Sequence, residues 1–391
     1  MYKEDKKLAI NGGEPISLET ILIHKPCLEQ LDFDAILNSS KTTFVSGDGP
    51  DCRVFENKLS EYLNVKHVLF MNSATSALEL AFRVKRFKRD GEVLVPNFTY
   101  TSTALGALYN QLKIKLVDVD SKTGLIDINK IEDSINDKTV AIAPIDYAGR
   151  VADMDSINQI AEKYNLWVVH DTAQSIGSEY KGRKTGSLAD VSTFSFHGTK
   201  NLTTGEGGAF VTNDDEIASI IRIMREKGTD KYSFLTDNLT RGYYEYVDIG
   251  NSYVQSNILG ALGVSQLEKL DLMNDKRKGI ADFYIDGLSH IKGLQLPVVP
   301  KDVKPNWHLF DIHVNANDKY WIMDALRAEG VFANVHYTPL HRNKFYNHLG
   351  GDQNFPGTMR FFEGLLRLPI YPSLSLSEAN LVVEAVKKIM E

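Results

Sequence analysis

Lys200 stands in the segment of this chain that is richest in residues able to do chemistry. The segment reads DVSTFSFHGTKNLTTGEGGAFVTND, in which an apolar strand leads into a polar turn and a glycine-rich return leads into another strand. A lysine amine becomes a nucleophile toward an aldehyde when burial or nearby positive charge lowers its pKa. Most turn lysines are solvated and inert, so the neighbours decide the interpretation. Ser195, His197 and the glycines at 198, 205, 207 and 208 would let a bulky ligand approach the backbone.

A second candidate group, Asp171, follows an apolar strand in the segment LWVVHDTAQSIGSEYKGRKTG. Ligands of open α/β sheets bind outside the carboxyl ends of the strands, which is where Asp171 would lie. A carboxylate in such a cleft can keep a heterocyclic ring nitrogen protonated and so make the ring an electron sink. A strand-end aspartate is about as often a helix cap, and Lys200 downstream favours the chemical role.

Two strand-turn-helix segments add groups that could hold the same ligand. In VLFMNSATSALELAF, the amides of Ala74, Thr75 and Ser76 would stand at a helix N-terminus, a place that binds phosphate. A plain capped helix start would explain this turn equally well. In VPNFTYTSTALGAL, Phe98 and Tyr100 come at the next strand end, where a ring could stack on a flat ligand or could simply belong to the core.

These groups need a scaffold of alternating strands and helices, and residues 50–215 show that pattern. Apolar β-branched runs predict strands at Val68–Met71, Glu92–Pro96, Lys113–Val119, Val140–Pro144, Trp167–His170, Val191–Phe196 and Gly208–Thr212. Amphipathic stretches predict helices at Ala74–Lys85, Ser102–Asn110 and Asp155–Tyr164. The expected fold class is therefore α/β, with a central, mainly parallel sheet flanked by helices.

The pattern changes beyond residue 216. A helix through Arg225 is followed by a polar and aromatic stretch from Lys227 to Tyr253, which we expect to fold over another part of the protein, and by an apolar helix at Asn257–Leu272. From about residue 297 the pattern is α+β, with helices at Asp318–Glu329 and Ser377–Met390. We therefore expect a large domain at 1–260, with an N-terminal arm at 1–40, and a small C-terminal α+β domain at 261–391.

Composition narrows the class of protein. The chain has 391 residues, of which 43% are apolar, so it can bury a large core. Its net charge is −7 and its basic residues are scattered, which argues against a nucleic-acid footprint or a basic membrane patch. Cys27 and Cys52 are the two cysteines and lack metal-ligand spacing; with no apolar leader in the sequence, they lead us to expect a cytoplasmic protein.

Other chemistries find little support in the sequence. No pair of histidines has the HExxH spacing and no cysteine joins the histidines of the C-terminal third, so we expect no metal site. No GxSxG elbow, P-loop or GxGxxG fingerprint occurs, which disfavours hydrolase, NTPase and dinucleotide-binding functions.

Five segments of the chain closely resemble the sugar aminotransferases of the DegT/DnrJ/StrS family, a fold-type I group that uses pyridoxal 5'-phosphate (PLP). They are FSFHGTKNLTTGEGGAF, VVHDTAQSIGSEYKGR, MNSATSAL, VPNFTYTSTA and MREKGTDKYSF. The resemblance runs through nearly the whole chain. It implies the fold-type I architecture, a large PLP-binding α/β domain with a smaller C-terminal domain.

The resemblance assigns the reacting groups. It implies that Lys200 is the Schiff-base lysine of PLP, that Asp171 pairs with the pyridine nitrogen, and that Gln174 lies against the phenolic oxygen of the ring. Keto-sugar dehydratases of the family replace the lysine with histidine, whereas this chain keeps Lys200. Amination is therefore favoured over dehydration, because the lysine amine is available to move protons and to release the product.

The resemblance also assigns the contacts to the phosphate and to the ring face. It implies that Ser195 and the turn amides of Ala74 and Thr75 hold the phosphate, and that Tyr100 stacks on the ring. Family members are homodimers in which the partner subunit lends an asparagine to the phosphate. In this chain the segment GNSYVQSN places Ser252 at that position.

Three segments resemble the branch of the family that aminates TDP-4-keto-6-deoxyglucose at C4, with glutamate as the usual donor. They are MREKGTDKYSF, RGYYEYVDIGNSYVQSN and NVHYTPLH. The C3 branch tends to carry a PGKNLGALGD loop, and the loop here reads HGTKNLTTGEGG. The alternatives are a 3-keto-sugar aminotransferase and a PLP-binding regulatory protein without turnover.

Substrate contacts are expected in two places. His336, Tyr337 and His341 could face the sugar, although an ordinary strand and loop would explain them equally. The diphosphate of a TDP-linked sugar needs a local basic site, because the chain as a whole is acidic. The candidates are Lys227, Arg241, Lys231, Arg183 and Lys184, with Tyr232, Phe234 and Tyr243 as rings that could stack on the base.

Overall fold

The fold is taken from a computed structural model, which describes residues 7–42, 44–230, 244–350 and 354–391. Its helices and strands are α1 (Gln30–Ser40), α2 (Pro50–Leu63), β1 (His67–Met71), α3 (Ala74–Arg83), β2 (Glu92–Pro96), α4 (Thr101–Tyr109), β3 (Lys113–Val117), α5 (Ile128–Ser134), β4 (Thr139–Ile142), α6 (Met154–Tyr164), β5 (Trp167–Asp171), β6 (Glu179–Tyr180), β7 (Arg183–Lys184), β8 (Val191–Ser195), β9 (Gly208–Thr212), α7 (Asp215–Arg225), α8 (Asn257–Glu268), α9 (Leu270–Leu288), β10 (Val303–Lys304), β11 (Phe310–His313), α10 (Lys319–Ala328), α11 (Asn347–Gly350), α12 (Pro356–Gly364), β12 (Leu365–Leu368) and α13 (Leu376–Met390).

The central sheet has seven strands in the order β1-β9-β8-β5-β4-β2-β3. The pairs from β8 through β5, β4 and β2 to β3 are parallel, and β9 runs antiparallel to both of its neighbours. Six strands therefore point the same way, and the carboxyl ends of β1, β2, β5 and β8 meet at one edge. This sheet, flanked by helices, confirms the expected α/β fold class.

Helices cover both faces of the sheet because its strands are apolar on both faces. Leu69 and Met71 of β1 belong to a core that also contains residues of α3, α4 and α7. Val68 and Phe70, which alternate with them, belong to a second core that contains residues of α2 and α9. The sheet is thus the middle layer of three.

The C-terminal part of the chain has a core of its own. It contains residues of α9, α10 and α13 and of the antiparallel pair β11 and β12, and Leu8 and Ile21 pack into it from the N-terminal segment. The domain boundary expected at residue 260 stays a prediction. Across the described residues, no helix combines the length and the apolar character that a membrane crossing requires.

Several expected elements differ from the observed ones. The single helix expected at Asn257–Leu272 is two helices, since α8 ends at Glu268 and α9 begins at Leu270. The expected strands Lys113–Val119 and Val140–Pro144 end two residues early, where the chain leaves the sheet edge. The arm expected at 1–40 contains a helix, α1, whose start is capped by reciprocal bonds between Glu29 and Asp32.

Candidate active site

A cavity of about 640 Å³ opens at the edge of the sheet where the parallel strands end. Its walls come from the turns that follow β1, β2, β5 and β8, and from the C-terminal part of the chain through β12. Most of the residues that the sequence placed at strand ends therefore converge on one site, as expected for an open α/β sheet. The volume is that of a site for a small-molecule ligand.

Lys200 reaches the cavity from the turn between β8 and β9. Its backbone N–H donates to the carbonyl oxygen of His197 (2.9 Å), which fixes the turn. Lys200 is partly exposed to the cavity, but the surrounding protein atoms displace water from its amine. This burial lowers the pKa of Lys200 to about 8; Asp171 opposes the effect and the positive charge of Arg367 adds to it. A sizeable fraction of the amine is therefore neutral near physiological pH.

Asp171 is the last residue of β5 and is 2% exposed. Its carboxylate accepts hydrogen bonds from the Thr103 hydroxyl (2.7 Å) and from the Ala173 backbone N–H (3.1 Å). Burial raises the pKa of Asp171, and these two hydrogen bonds and Lys200 offset part of that effect. Asp171 makes no ion pair within the part of the chain that is described. A protonated ring nitrogen would supply the missing partner.

Gln174 and Tyr337 form a hydrogen-bonded pair on another wall of the cavity. The Gln174 amide nitrogen donates to the Tyr337 hydroxyl (2.9 Å), and its carbonyl oxygen accepts from the Ala148 backbone N–H (2.7 Å). Burial raises the pKa of Tyr337, so its hydroxyl stays a neutral donor. The ring of Tyr100 lies 5.5 Å from that of Tyr337, centroid to centroid, and Tyr100 is 54% exposed, so its face is open for stacking.

The N-terminus of α3, with the backbone N–H groups of Ala74 and Thr75, lies at the other side of the cavity and is called the amide cup below. The Ser73 side chain caps the helix by accepting from the Ser76 backbone N–H, and no described residue accepts from the N–H groups of Ala74 and Thr75. Ser195, at the end of β8, and Gly207 also line this end. Free amides at a helix N-terminus with nearby hydroxyls suit a phosphate group.

These residues fit PLP. Ala74, Thr75 and Ser195 would hold its phosphate, Asp171 would pair with its ring nitrogen, Gln174 would lie near its phenolic oxygen, and Lys200 would carry it. Each of these groups lines the one cavity. The fit follows from the donor and acceptor types. The unpaired N–H groups require an anion and the buried carboxylate requires a cation, and PLP would supply both through its phosphate and its protonated ring nitrogen.

Ser252, Lys227 and His341 are among the predicted residues that lie outside this cavity. The backbone carbonyl of Ser252 accepts from the Asn72 side chain (3.3 Å), and Lys227 forms an exposed ion pair with Glu226 (2.9 Å). His341 is held against β2, because its backbone N–H donates to the Asn97 side-chain oxygen (3.1 Å). Of the predicted substrate residues, His336 and Tyr337 do line the cavity.

The remaining candidates for contacts to the nucleotide, basic and aromatic, divide into two groups. Arg183 and Lys184 lie on the hairpin of β6 and β7, where Arg183 pairs with Asp155 (3.0 Å) and neither residue lines the cavity. The other candidates lie outside the described residues; they are Lys231, Tyr232, Phe234, Arg241 and Tyr243.

The structure adds cavity residues that the sequence interpretation missed. His24, His308 and Arg367 all line the cavity, together with Lys200. The sequence did contain a signal for Arg367. It lies inside the apolar run LLRLPI, and a charged residue is rarely buried there unless it has a partner. His24 and His308 stand far along the chain from the lysine turn, and nothing in their local sequence sets them apart.

Comparison with known proteins identifies the family. Residues 26–387 match the model of the DegT/DnrJ/EryC1/StrS aminotransferase family. The chain is 33% identical over 370 residues to the UDP-4-amino-4,6-dideoxy-N-acetyl-beta-L-altrosamine transaminase of Campylobacter jejuni, covering 93% of this chain and 96% of that protein. It is 31% identical over 377 residues to the GDP-perosamine synthase of Caulobacter vibrioides, covering 95% and 99%.

The fold comparison agrees with the sequence comparison. The solved PLP form of Spr1654 from Streptococcus pneumoniae superposes with a TM-score of 0.89 at 28% identity, covering 95% of this chain and 98% of that one. Aminotransferases of the family use PLP, and the cavity described above fits that cofactor. The chain therefore belongs to the DegT/DnrJ/EryC1/StrS aminotransferase family and is a PLP-dependent nucleotide-sugar aminotransferase.

Proposed function

We propose that this enzyme converts a TDP-linked 4-keto-6-deoxy sugar to the 4-amino-4,6-dideoxy sugar, with L-glutamate as the amino donor. The observation that carries this proposal is the convergence of Lys200, Asp171 and the free amides of Ala74 and Thr75 on one cavity. A lysine whose pKa is near the working pH can both accept and return a proton. Transamination needs both actions at the same amine.

Each residue has a defined task in this function. PLP, when bound, supplies an electron sink that makes the proton on the nitrogen-bearing carbon acidic. Lys200 takes that proton from the donor and later delivers a proton to C4 of the sugar. Asp171 keeps a ring nitrogen charged, and Thr103 fixes the orientation of the Asp171 carboxylate through its hydroxyl. Tyr337 and Gln174 offer neutral hydrogen bonds, which bind without changing the charge of the site.

Two kinds of observation support amination at C4 of a TDP-linked sugar. The segments MREKGTDKYSF and NVHYTPLH resemble the branch that aminates TDP-4-keto-6-deoxyglucose, and the lysine loop differs from that of the C3 branch. The Campylobacter relative is named for a 4-amino-4,6-dideoxy sugar, which supports position 4. The names of the two relatives carry UDP and GDP, so the choice of TDP rests on the segments alone.

We further propose that the enzyme acts as a homodimer. Helix α1 exposes large apolar side chains, with Leu31 70%, Phe33 50% and Leu37 53% exposed. Its buried side is already used, because Asp32 accepts a hydrogen bond from Ser265 (2.8 Å) of α8. Exposed apolar side chains on one short helix support an interface there. In such a dimer Ser252, which lies outside the cavity of its own chain, would be free to reach the phosphate end of the partner's cavity.

The function is tested by following both halves of the reaction. Purified holoenzyme is given L-glutamate alone, and release of 2-oxoglutarate is measured together with the loss of the PLP absorbance. The amine form is then given the 4-keto-6-deoxy sugar linked to TDP, UDP or GDP, and the product is identified by mass spectrometry and NMR. We expect 2-oxoglutarate release and a C4-aminated product that forms fastest with TDP.

The alternatives give different results in the same experiment. A PLP-binding regulatory protein would be yellow but would release no 2-oxoglutarate. A 3-keto-sugar aminotransferase would complete the glutamate half-reaction and leave the 4-keto sugars unchanged. A faster reaction with UDP or GDP sugars would overturn the TDP assignment and leave the C4 assignment in place.

A further inference from the structure

His308 is a buried histidine that reaches the active-site cavity from the C-terminal part of the chain. It is 7% exposed and lines the same cavity as Lys200. Burial lowers its pKa well below the ordinary value of a histidine, and the positive charges of Lys200, Arg277 and Arg367 lower it further. The imidazole is therefore uncharged at neutral pH, so one ring nitrogen carries a hydrogen and the other carries a lone pair.

Asn201, the residue after Lys200, decides which ring nitrogen of His308 carries the hydrogen. The Asn201 amide nitrogen donates to the backbone carbonyl oxygen of Asn306 (2.9 Å) and to the side-chain oxygen of Asn274 (2.8 Å). A backbone carbonyl can only accept, so this contact fixes the orientation of the amide. The side-chain oxygen of Asn201 then lies 3.0 Å from Nδ1 of His308 and can also only accept. The hydrogen of His308 is therefore on Nδ1.

The other nitrogen of His308, Nε2, is left as a hydrogen-bond acceptor. Within the described ranges no residue donates to Nε2, and the fully enclosed side-chain atoms that lack a partner do not include it. Because His308 lines the cavity, its lone pair is open to a ligand there. A buried acceptor that stays unpaired is costly. A ligand that fits this wall must therefore bring a hydrogen-bond donor to it.

Among the reactants, the keto-sugar brings such a donor. PLP has one ring N–H group, which Asp171 would take, and its other polar atoms are acceptors. L-Glutamate has two carboxylates, which only accept, and its amine goes to the cofactor. A 4-keto-6-deoxy sugar has a hydroxyl at C3, the carbon next to the reacting C4. Lys200 acts at C4 and is close enough to His308 for its charge to act on the imidazole, which favours the C3 hydroxyl as the donor.

We propose that Nε2 of His308 accepts a hydrogen bond from the C3 hydroxyl of the keto-sugar and so selects sugars that carry this hydroxyl. The inference rests on the proposed function and names a contact within it. It is independent of the nucleotide, because the hydroxyl belongs to the sugar ring. Asn201 is the positioning residue, since it holds Nδ1 of His308 and so keeps the lone pair on Nε2. Asn201 and Lys200 share one turn, so the group that moves the proton and the group that orients the sugar are fixed together.

The test compares two sugars in the second half-reaction, both linked to the nucleotide that the wild type uses fastest. One is the 4-keto-6-deoxy sugar and the other is its 3-deoxy analogue. We expect the wild type to prefer the first by at least about tenfold in kcat/KM, since the analogue leaves the buried acceptor unpaired. His308→Phe keeps an aromatic ring but has no acceptor, so the preference should fall to less than about twofold.

His341→Phe is the matched control. His341 is also a histidine whose pKa is lowered by burial and whose Nδ1 faces an asparagine side chain, that of Asn97 (3.1 Å), but it lies outside the cavity. This variant should keep the wild-type preference. His308→Gln should keep part of it, because its amide can donate to Asn201 and offer an oxygen to the sugar. Melting temperatures monitor folding.

The glutamate half-reaction separates this contact from a general effect on the cavity. In His308→Phe, kcat/KM for L-glutamate should change by less than about threefold, because the amino acid brings no hydroxyl to the acceptor. The loss should therefore appear with the hydroxylated sugar alone.

The outcomes are distinct. A wild type without the preference, or a His308→Phe variant that keeps it, would overturn the inference. An equal loss with L-glutamate and with the keto-sugar would also overturn it, since the contact would then be to a group that both half-reactions share. If the wild type aminated no keto-sugar, the proposed function would fail instead. Calorimetric titration of both holoenzymes with nucleotide-linked 6-deoxyglucose and 3,6-dideoxyglucose, which lack the ketone, would then decide the His308 contact separately. Tighter binding of 6-deoxyglucose by the wild type alone would support the contact, and equal binding of the two sugars by the wild type would overturn it.

Discussion

Gly208 lies against the backbone nitrogen of Ala74, so that a Cβ built on Gly208 would be 2.3 Å from that nitrogen. Gly208 begins β9 and Ala74 begins α3, and the two elements meet at the amide cup of the active site. A side chain at position 208 would separate them, because the neighbouring atoms are backbone and cannot turn aside. The lack of a side chain at position 208 therefore lets β9 approach α3 closely and shapes the end of the cavity where phosphate would bind.

We predict that Gly208→Ala lowers PLP affinity by at least about tenfold, since misplacing the cup by a fraction of an ångström weakens its hydrogen bonds to phosphate. Gly198→Ala, in the turn before β9, is the matched control, because its added Cβ would meet only the Gly205 carbonyl oxygen, at 3.8 Å. PLP dissociation constants are measured by absorbance titration of the apoenzymes. Equal affinities for the two variants would show that the close approach does not shape the site.

Lys200→Ala should reduce turnover by at least about 1000-fold, because it removes the group that moves protons in both half-reactions. The variant should still bind PLP through the phosphate and ring contacts, without the absorbance of the lysine-linked cofactor. Lys163→Ala serves as a control, since Lys163 is an exposed lysine paired with Glu132 (2.7 Å). Wild-type turnover by Lys200→Ala would remove the central assignment.

The pKa of Lys200 predicts how the rate of PLP uptake should change with pH. Uptake of PLP by the apoenzyme needs the neutral amine, so its rate should rise with pH and level off above about 8, the pKa of Lys200. The Asp171 carboxylate raises that pKa and Arg367 lowers it. Asp171→Asn should therefore move the midpoint to lower pH, and Arg367→Gln should move it to higher pH.

The measurement is the rate of holoenzyme formation, followed by absorbance in stopped flow between pH 6 and 11. Midpoints are compared, since Asp171→Asn also reduces the final amplitude. Shifts of the two variants in the same direction, or a wild-type midpoint near that of a solvated lysine, would contradict this account of the site.

Asp311 and Arg150 form a buried ion pair, with side chains 1% and 2% exposed. Burial alone would raise the pKa of Asp311, but Arg150 and His313 together outweigh it and lower the pKa to about 2. The pair therefore contributes stability that is present above the unfolded-state pKa of about 4 and is lost as the pH falls toward 2.

We predict that Asp311→Asn lowers the free energy of unfolding at pH 7 by about 3 to 5 kcal/mol, because Arg150 is left buried and unpaired. The double variant Asp311→Leu with Arg150→Met should lose less than either single variant. Urea unfolding at pH 7 and at pH 3 provides the measurement. The prediction is wrong if the single and double variants lose stability additively, or if the difference between Asp311→Asn and wild type is as large at low pH.

If α1 forms the interface of a homodimer, one charge introduced on this helix should weaken self-association. Phe33→Glu should weaken self-association by at least about tenfold, because it places a carboxylate in an apolar interface. Tyr320→Glu is the control, as Tyr320 is 58% exposed on α10. Sedimentation velocity over a range of concentrations gives the association constants. A wild-type protein that stays monomeric and fully active at micromolar concentration would refute the dimer.

Local patterns in the sequence predicted the sheet and much of the cavity. The bounds of β2 and β9 agree with the expectation, because a polar residue, Asn97 or Asn213, follows each apolar run. Asp171 and Ser195 were predicted as site residues because each stands at the end of such a strand, and Lys200 because it stands in the turn that follows β8. Their convergence follows from the parallel arrangement, which the alternating pattern predicts.

Contributions from distant segments could not be predicted in the same way. His24 precedes the sheet and Arg367 follows it by a long stretch of chain, and their place in the cavity depends on how the C-terminal strands pack. The break between α8 and α9 was missed because the apolar pattern continues through Lys269, whose side chain turns to Asp32 of α1. Such positions are set by tertiary contacts, which outweigh the local pattern.

The antiparallel strand β9 has a consequence for the order in which the site forms. It pairs directly with β8, so the loop that carries Lys200 closes between neighbouring strands, and contacts close in sequence cost little chain entropy. Arg367 joins only after residues 201–366 have also been made. During synthesis the turn that carries Lys200 can therefore take its place before the wall that contains Arg367 exists, so the cavity is closed last from the side of β12.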